Sequence, residues 1–283
     1  MGMNTKKEPP NVRKFLRLLR GNGPLAIIKL SSSTVQRRLS ESSSLRPLLV
    51  RIDTALESIQ KRLDSRFDRE HGTETSEIIL SLNRFPTVGE NVMLANEYRP
   101  TSPKVFKQIM QRLTINHGDF EFVDFGSGKG RVLLLASEYG FKRVVGVEFA
   151  PDLCRIASTN IERWNQKTGR SPNIEIFCTD ATDFPIPVSP LVVFFFSPFK
   201  GKVMERVLDN ITASWSADPR EIFLIFHGLN PDTLELLRAT GRVCKELKLR
   251  PDWSLLLNYR TFLITYPKFD DGVASHRSES AIR

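Results

Sequence analysis

Cysteine and histidine are scarce in this chain, and the few present are scattered. Cys154, Cys178 and Cys244 form no C-x-x-C pair, and the four histidines fall at no zinc spacing to them. A structural zinc needs clustered ligands and a disulfide framework needs paired cysteines, so neither organises the fold. A reducing compartment is expected, with Cys154 on a helix and Cys178 in an apolar strand, both as core residues. Long apolar runs are missing too: nothing approaches the roughly 18 residues that cross a bilayer, and no signal-peptide core follows the start. A soluble, cytoplasmic protein is the expectation. N-myristoylation is excluded, since Lys6 stands where that signal requires Ser or Thr.

Acidic residues are rare in the first fifty positions. Ten Lys and Arg stand there against Glu8 and Glu41, a balance of +8 within a whole-chain charge of +9. The rest of the chain is therefore close to neutral. Within the basic arm, Val12, Phe15, Leu16 and Leu19 share one helical face, while Arg13, Lys14, Arg17 and Arg20 take the other. Such a helix can lie on an anionic membrane, contact nucleic acid or fold back on its own domain, and an Arg- and Ser-rich arm also has the composition of a transit peptide. After the serine-rich stretch 31–44, Leu45, Leu49, Ile52, Leu56, Ile59 and Leu63 alternate four and three apart. That stripe fits either a short coiled coil, giving a homodimer through residues 45–67, or a helix packed on the body of the protein. The expected organisation is a basic helical arm over 1–75, one α/β domain over 76–267 and a polar, disordered tail over 268–283.

The densest signal lies between Asp119 and Glu148. An apolar strand ending in Phe125 runs into Gly126, Gly128 and Gly130, a helical pattern follows, Gly140 stops it, and a second buried strand ends on the acid Glu148. Glycines let the main chain approach a ligand closely, and N–H groups at the helix start favour an anionic group. An acid at the tip of the second strand can accept from two ribose hydroxyls, and Glu148 comes 22 positions after Gly126, near the expected spacing of roughly 20. The phosphate-cradling G-x-x-x-x-G-K-[ST] loop is absent. The dinucleotide G-x-G-x-x-G is broken as well, because the third glycine comes one place early and Arg131 fills its slot.

The run Val123-Asp124-Phe125-Gly126-Ser127-Gly128-Lys129-Gly130 instead resembles motif I of the class I, seven-strand S-adenosylmethionine (SAM) methyltransferases, and the resemblance extends from about Tyr98 to Pro267. It implies a Rossmann-like, doubly wound sheet of about seven strands, mostly parallel with an antiparallel closing strand, plus the helical arm. It also implies SAM as cofactor, held by Asp124, Gly126, Ser127, Gly128, Gly130, Glu148 and Phe149. Asp180 and Ala181, after the third strand, resemble the family's adenine-binding acidic loop, with Asp183 as the alternative. Tyr98 and Thr101 precede a helix in a Tyr-x-Pro-Thr segment similar to that of seven-strand lysine methyltransferases, where it closes over SAM; capping by Thr101 or Ser102 is the other reading. Ser197, Pro198 and Phe199 stand at motif IV, on the acceptor side, without the Asn or Asp of the Asn/Asp-Pro-Pro-aromatic pattern. His227 ends the fifth strand, where it either contacts substrate or is a satisfied, partly buried side chain.

The resemblance thus implies methyl transfer, with an amine on protein, lysine first, as acceptor. A small molecule or RNA is the alternative acceptor, and a non-catalytic SAM-binding scaffold acting through the arm is the alternative role. An NAD-dependent oxidoreductase is disfavoured by the glycine spacing.

Overall fold

The computed structural model describes residues 61–62, 64–79, 81–82, 85–89, 91–229, 231–239, 244–249 and 259–268. The basic helix, the serine-rich stretch, the leucine stripe and most of the tail lie outside them. Two compact units divide the chain, residues 1–63 with 250–259 and residues 64–249 with 260–283, and every element below belongs to the second.

Seven strands form one sheet: β1 Glu121–Phe125, β2 Arg143–Glu148, β3 Ile174–Cys178, β4 Leu191–Phe196, β5 Ile222–His227, β6 Cys244–Leu247 and β7 Thr261–Tyr266. Their order is β3-β2-β1-β4-β5-β7-β6. The first five are parallel, β7 runs antiparallel between β5 and β6, and the arrangement is the Rossmann-like doubly wound sheet that the resemblance implies. β1 and β4 are buried almost throughout, as strands covered on both faces by helices must be.

The helices are α1 Pro103–Met110, α2 Arg131–Ala136, α3 Pro151–Thr168, α4 Lys202–Ala217 and α5 Pro231–Ala239. Proline opens α1 and α3, where its missing N–H has no intrahelical partner to lose. α2 is short and wholly buried, and after a 3-10 turn over Ser137–Tyr139 the chain reverses at Gly140 with φ 73°. No helix among the described residues is long and apolar enough to cross a membrane.

A ladder of aromatic rings crosses the middle of the sheet. Phe125, Phe195 and Phe226 are successive partners on β1, β4 and β5, and their rings stack at 5.3 and 4.7 Å. Each such pair adds about 0.5–1.5 kcal/mol beyond burial. The ladder stiffens the strand ends where the chain order reverses, between β1 and β4, and that switch point is where open α/β sheets form their crevice.

α4 ends at Ala217, where the guanidinium of Arg220 donates to Ser214 O and Asp218 O. Two expectations need correction. Cys178 is exposed, not core, because β3 is an edge strand. Residues 64–75, grouped with the arm by composition, pack into the sheet unit: Arg131 at the start of α2 is bonded to Asp64 and Thr75.

Candidate functional site

Backbone conformation accounts for the glycines of the turn. Gly126, Gly128 and Gly130 have φ of 77°, 53° and 84°, a region that costs other residues about 1–2 kcal/mol. Space is equally restrictive. A Cβ on Gly126 would come within 2.4 Å of Pro198 Cβ, and one on Gly128 within 2.3 Å of the Tyr98 ring. The turn is tied to the end of β2, since Gly126 N and Ser127 N both donate to Val147 O, at 2.8 and 3.1 Å.

Glu148, at the tip of β2, faces the same turn. Its Oε2 accepts from Gly128 N at 2.8 Å and its Oε1 from Ala150 N at 3.0 Å. Burial to 4% exposure raises its pKa, and the backbone N–H groups of Ala150, Gly128 and Phe149 offset part of that rise. Asp124, 3% exposed on β1, is raised well above the carboxylate range, first by burial and then by Glu148. No described residue donates a hydrogen bond to the Asp124 carboxylate. Two buried acids thus share one cavity with no basic side chain bonded to either, an arrangement that favours a cationic ligand.

A cleft of about 850 Å³, open solvent included, lies over these groups and is lined by Tyr98, Thr101, Asp124, Gly126, Ser127, Gly128, Glu148, Phe149, Asp180, Ala181, Pro198 and Phe199. Its size is that of a pocket for one cofactor-sized molecule. Two predicted residues stay off its wall. Gly130 packs toward Ala157, where a Cβ would meet a methyl at 3.1 Å, so its place is in helix packing. Ser197 lies behind Pro198 with φ 44°, the one positive φ outside glycine among the described residues.

Asp180 is buried at the far end of the cleft and already well bonded. Oδ1 accepts from Thr182 N and Thr182 Oγ1, at 2.9 and 2.7 Å, and Oδ2 from Asn91 Nδ2 at 2.7 Å. A carboxylate has about four acceptor positions, so one remains for a ligand donor. Asp183 is exposed and off the cleft. Tyr98 seats its ring on Gly128 and donates its hydroxyl to Thr75 O at 2.8 Å. Ser102, not Thr101, takes the N-cap position of α1, without a side-chain cap bond, and Thr101 lines the cleft. His227 is fully buried, its Nδ1 2.9 Å from Thr261 Oγ1 and its pKa pushed down by burial to about 4; it is off the cleft wall.

Sequence reasoning missed four residues here. Asn91 and Asn96 come from the stretch before Tyr98, and both line the cleft. Lys129 sits inside the glycine motif and Arg131 directly after it, yet both side chains are 1% exposed. Lys129 Nζ reaches Glu77 at 2.8 Å and Glu74 at 3.3 Å; Arg131 reaches Asp64 at 2.7 Å and lies 4.8 Å over the Phe67 ring. Asn160 of α3 closes the joint, donating to Lys129 O and Glu74 O and accepting from Glu74 N. The available signal was the presence of two cations in a turn otherwise made of small residues.

Residues 91–170 match the family described as histone methylation protein DOT1. Over 75 residues the chain is 35% identical to a protein-lysine N-methyltransferase of Saccharolobus islandicus (strain REY15A), a match that takes in 26% of this chain and 45% of that protein. The chain therefore spans under half the length of that curated relative. Among solved structures it is similar to an RNA methyltransferase from Salinibacter ruber in complex with S-adenosyl-L-homocysteine, at 18% identity and TM-score 0.44, over 60% of this chain and 95% of that one. It is also similar to a precorrin-6y C5,15-methyltransferase from Geobacter metallireducens GS-15, at 15% identity and TM-score 0.45, over 67% and 96%.

Proposed function

We propose that this chain is an S-adenosylmethionine-dependent methyltransferase of the class I, seven-strand kind, and that its acceptor is an amine on protein, a lysine side chain. The observation that carries the cofactor reading is the pair of buried acids around a glycine turn too tight for any side chain. SAM is cationic at its sulfonium and its amino group, the ligand chemistry such a cavity favours. The acceptor reading is supported by the match of residues 91–170 to the DOT1 family and by the lysine methyltransferase relative.

The residues present fit this cofactor. Asp124, bare and buried, would take the amino group; Glu148 keeps one lone pair on each oxygen for ribose hydroxyls; Asp180 and Ala181 stand where the adenine would be held. The Tyr98 ring lies against Gly128 of the turn, and Thr101 lines the same cleft. When bound, SAM supplies a methyl carbon activated by positive sulfur, so the protein needs neither nucleophile nor metal. The contribution of these side chains is position and exclusion of water, worth several kcal/mol in a two-reactant transfer. The basic arm is proposed to bring the enzyme to an anionic surface, membrane or nucleic acid, within the cytoplasm.

Labelling a cell extract with tritiated SAM and the purified protein tests this, with protein, RNA, lipid and small-molecule fractions counted separately. Label in protein, released as methyl-lysine on hydrolysis, is expected. Label confined to RNA or to small molecules overturns the acceptor. Calorimetric binding of NAD without binding of SAM overturns the cofactor.

A further inference from the structure

Motif IV carries Ser197-Pro198-Phe199 and so offers no side-chain amide or carboxylate to an acceptor amine. A second strand of chain lies against it. Ala95 and Phe199 form an antiparallel bridge, Lys200 N donates to Leu94 O at 3.1 Å, and Asn96 N donates to Pro198 O at 2.9 Å. Asn96 adds its side chain: Nδ2 donates to Ser197 O at 2.8 Å and lies 3.4 Å from Ser197 Oγ. A carbonyl oxygen can only accept, so the NH2 end of the amide must face the loop and Oδ1 must face away from it. Oδ1 accepts nothing from the described residues, and Asn96 lines the cleft. Ser197 meanwhile is held at φ 44°, a conformation that persists in a non-glycine residue only where the surroundings impose it and that clusters at working sites.

We infer that Asn96, reaching in from the segment before Tyr98, supplies the amide oxygen that accepts an N–H from the methyl acceptor, in place of the group motif IV lacks. The inference rests on the methyltransferase reading above. Position supports it. Asp180 follows β3 and Glu148 ends β2, whereas Ser197 and Pro198 follow β4, two strands beyond β2 and three beyond β3 in the sheet. At about 4.8 Å per strand step the cleft runs roughly 14 Å from the adenine end to Asn96, the span of an adenosyl ligand with its reacting group at the far end.

Charge supports it as well. A carboxylate at this place would stabilise an ammonium acceptor, which has no lone pair to give; a neutral amide orients the N–H without holding the proton. In the transfer, the nitrogen lone pair forms the new N–C bond as the C–S bond breaks. The electron pair of that bond stays on sulfur as a neutral thioether, and the surplus N–H proton leaves to water. Asn96 accepts a hydrogen bond throughout and exchanges no proton.

Sinefungin, in which an amine-bearing carbon takes the place of the methylsulfonium, reports on this contact without turnover. Calorimetry compares it with S-adenosyl-L-homocysteine, which lacks that amine, on the wild-type chain and on Asn96→Ala and Asn96→Asp. Asn96→Ala is expected to weaken sinefungin roughly tenfold or more, the worth of one hydrogen bond to a charged donor, and to leave S-adenosyl-L-homocysteine within about twofold. Asn96→Asp, which keeps an acceptor and loses the donor to Ser197 O, is expected to bind sinefungin at least as well as wild type. A sinefungin preference unchanged in Asn96→Ala overturns the inference and leaves the cofactor reading standing. Both ligands weakened equally in both variants overturns it in favour of a purely structural amide. A wild-type chain that binds neither ligand defeats the cofactor reading and this inference together.

Discussion

Replacing Gly128 with alanine puts one methyl group against the most tightly enclosed point of the cleft. The new Cβ would lie 2.3 Å from both Cδ2 and Cε2 of Tyr98, so the ring must retreat by more than 1 Å to reach an ordinary contact of about 3.5 Å. It has little room to do so. Its hydroxyl is bonded to Thr75 O, and its backbone is paired in both directions with Ile79, at 2.9 and 3.0 Å. Overpacking of this kind costs about 1–3 kcal/mol, and alanine at φ 53° adds about 1 kcal/mol. Gly128→Ala is therefore expected to lose about 2–4 kcal/mol in urea unfolding and most of its affinity for SAM. Tyr98→Ala alone removes a buried aromatic, a loss of about 3–5 kcal/mol. In the double variant the overlap is gone, so the two losses must fall short of their sum by at least about 1 kcal/mol. Strictly additive losses, or a Gly128→Ala chain with unchanged midpoint and unchanged SAM affinity, would refute the close approach on which the cofactor reading depends.

Asp124→Asn separates folding from binding. The folded-state pKa of Asp124 lies above its unfolded value, so the folded protein holds the extra proton and stability falls as pH rises from the ordinary carboxylate range toward the raised pKa. Without ligand, Asp124→Asn is expected to melt higher than wild type at neutral pH, with the gap closing as pH falls to 4, while SAM binding drops at least tenfold; a lower melting temperature at neutral pH would contradict the bare buried carboxylate. Arg131→Met leaves Asp64, 3% exposed in its side chain, without its cation, and is expected to cost about 3–5 kcal/mol in urea unfolding. Asp64→Leu combined with Arg131→Met should recover most of it, and a double variant no more stable than the single would show that the pair is not what joins residues 64–77 to the turn.

Local chemistry decides which parts of this molecule could be read from its sequence. The glycine turn, Glu148 and the central strands were legible because close approach leaves only glycine and double-sided burial leaves only unbroken apolar runs. Cys178 was misread because an edge strand and a central strand look alike over five residues; only the sheet order distinguishes them. Asn91 and Asn96 carry no periodicity, and each acts through one amide whose partner lies about a hundred positions away. The burial of Lys129 and Arg131 was not legible because their anions, Asp64, Glu74 and Glu77, lie in a stretch that composition assigns to the arm.

That last joint decides where the chain can be cut. A shortened chain starting at residue 76, the boundary that composition favours, would leave Arg131 buried with neither Asp64 nor Asp68 to neutralise it and Lys129 with one of its two glutamates. Lys129 sits in the turn proposed to receive a positively charged molecule and Arg131 directly after it, so beyond the loss of stability such a cut would act electrostatically: a pocket repelling its proposed guest.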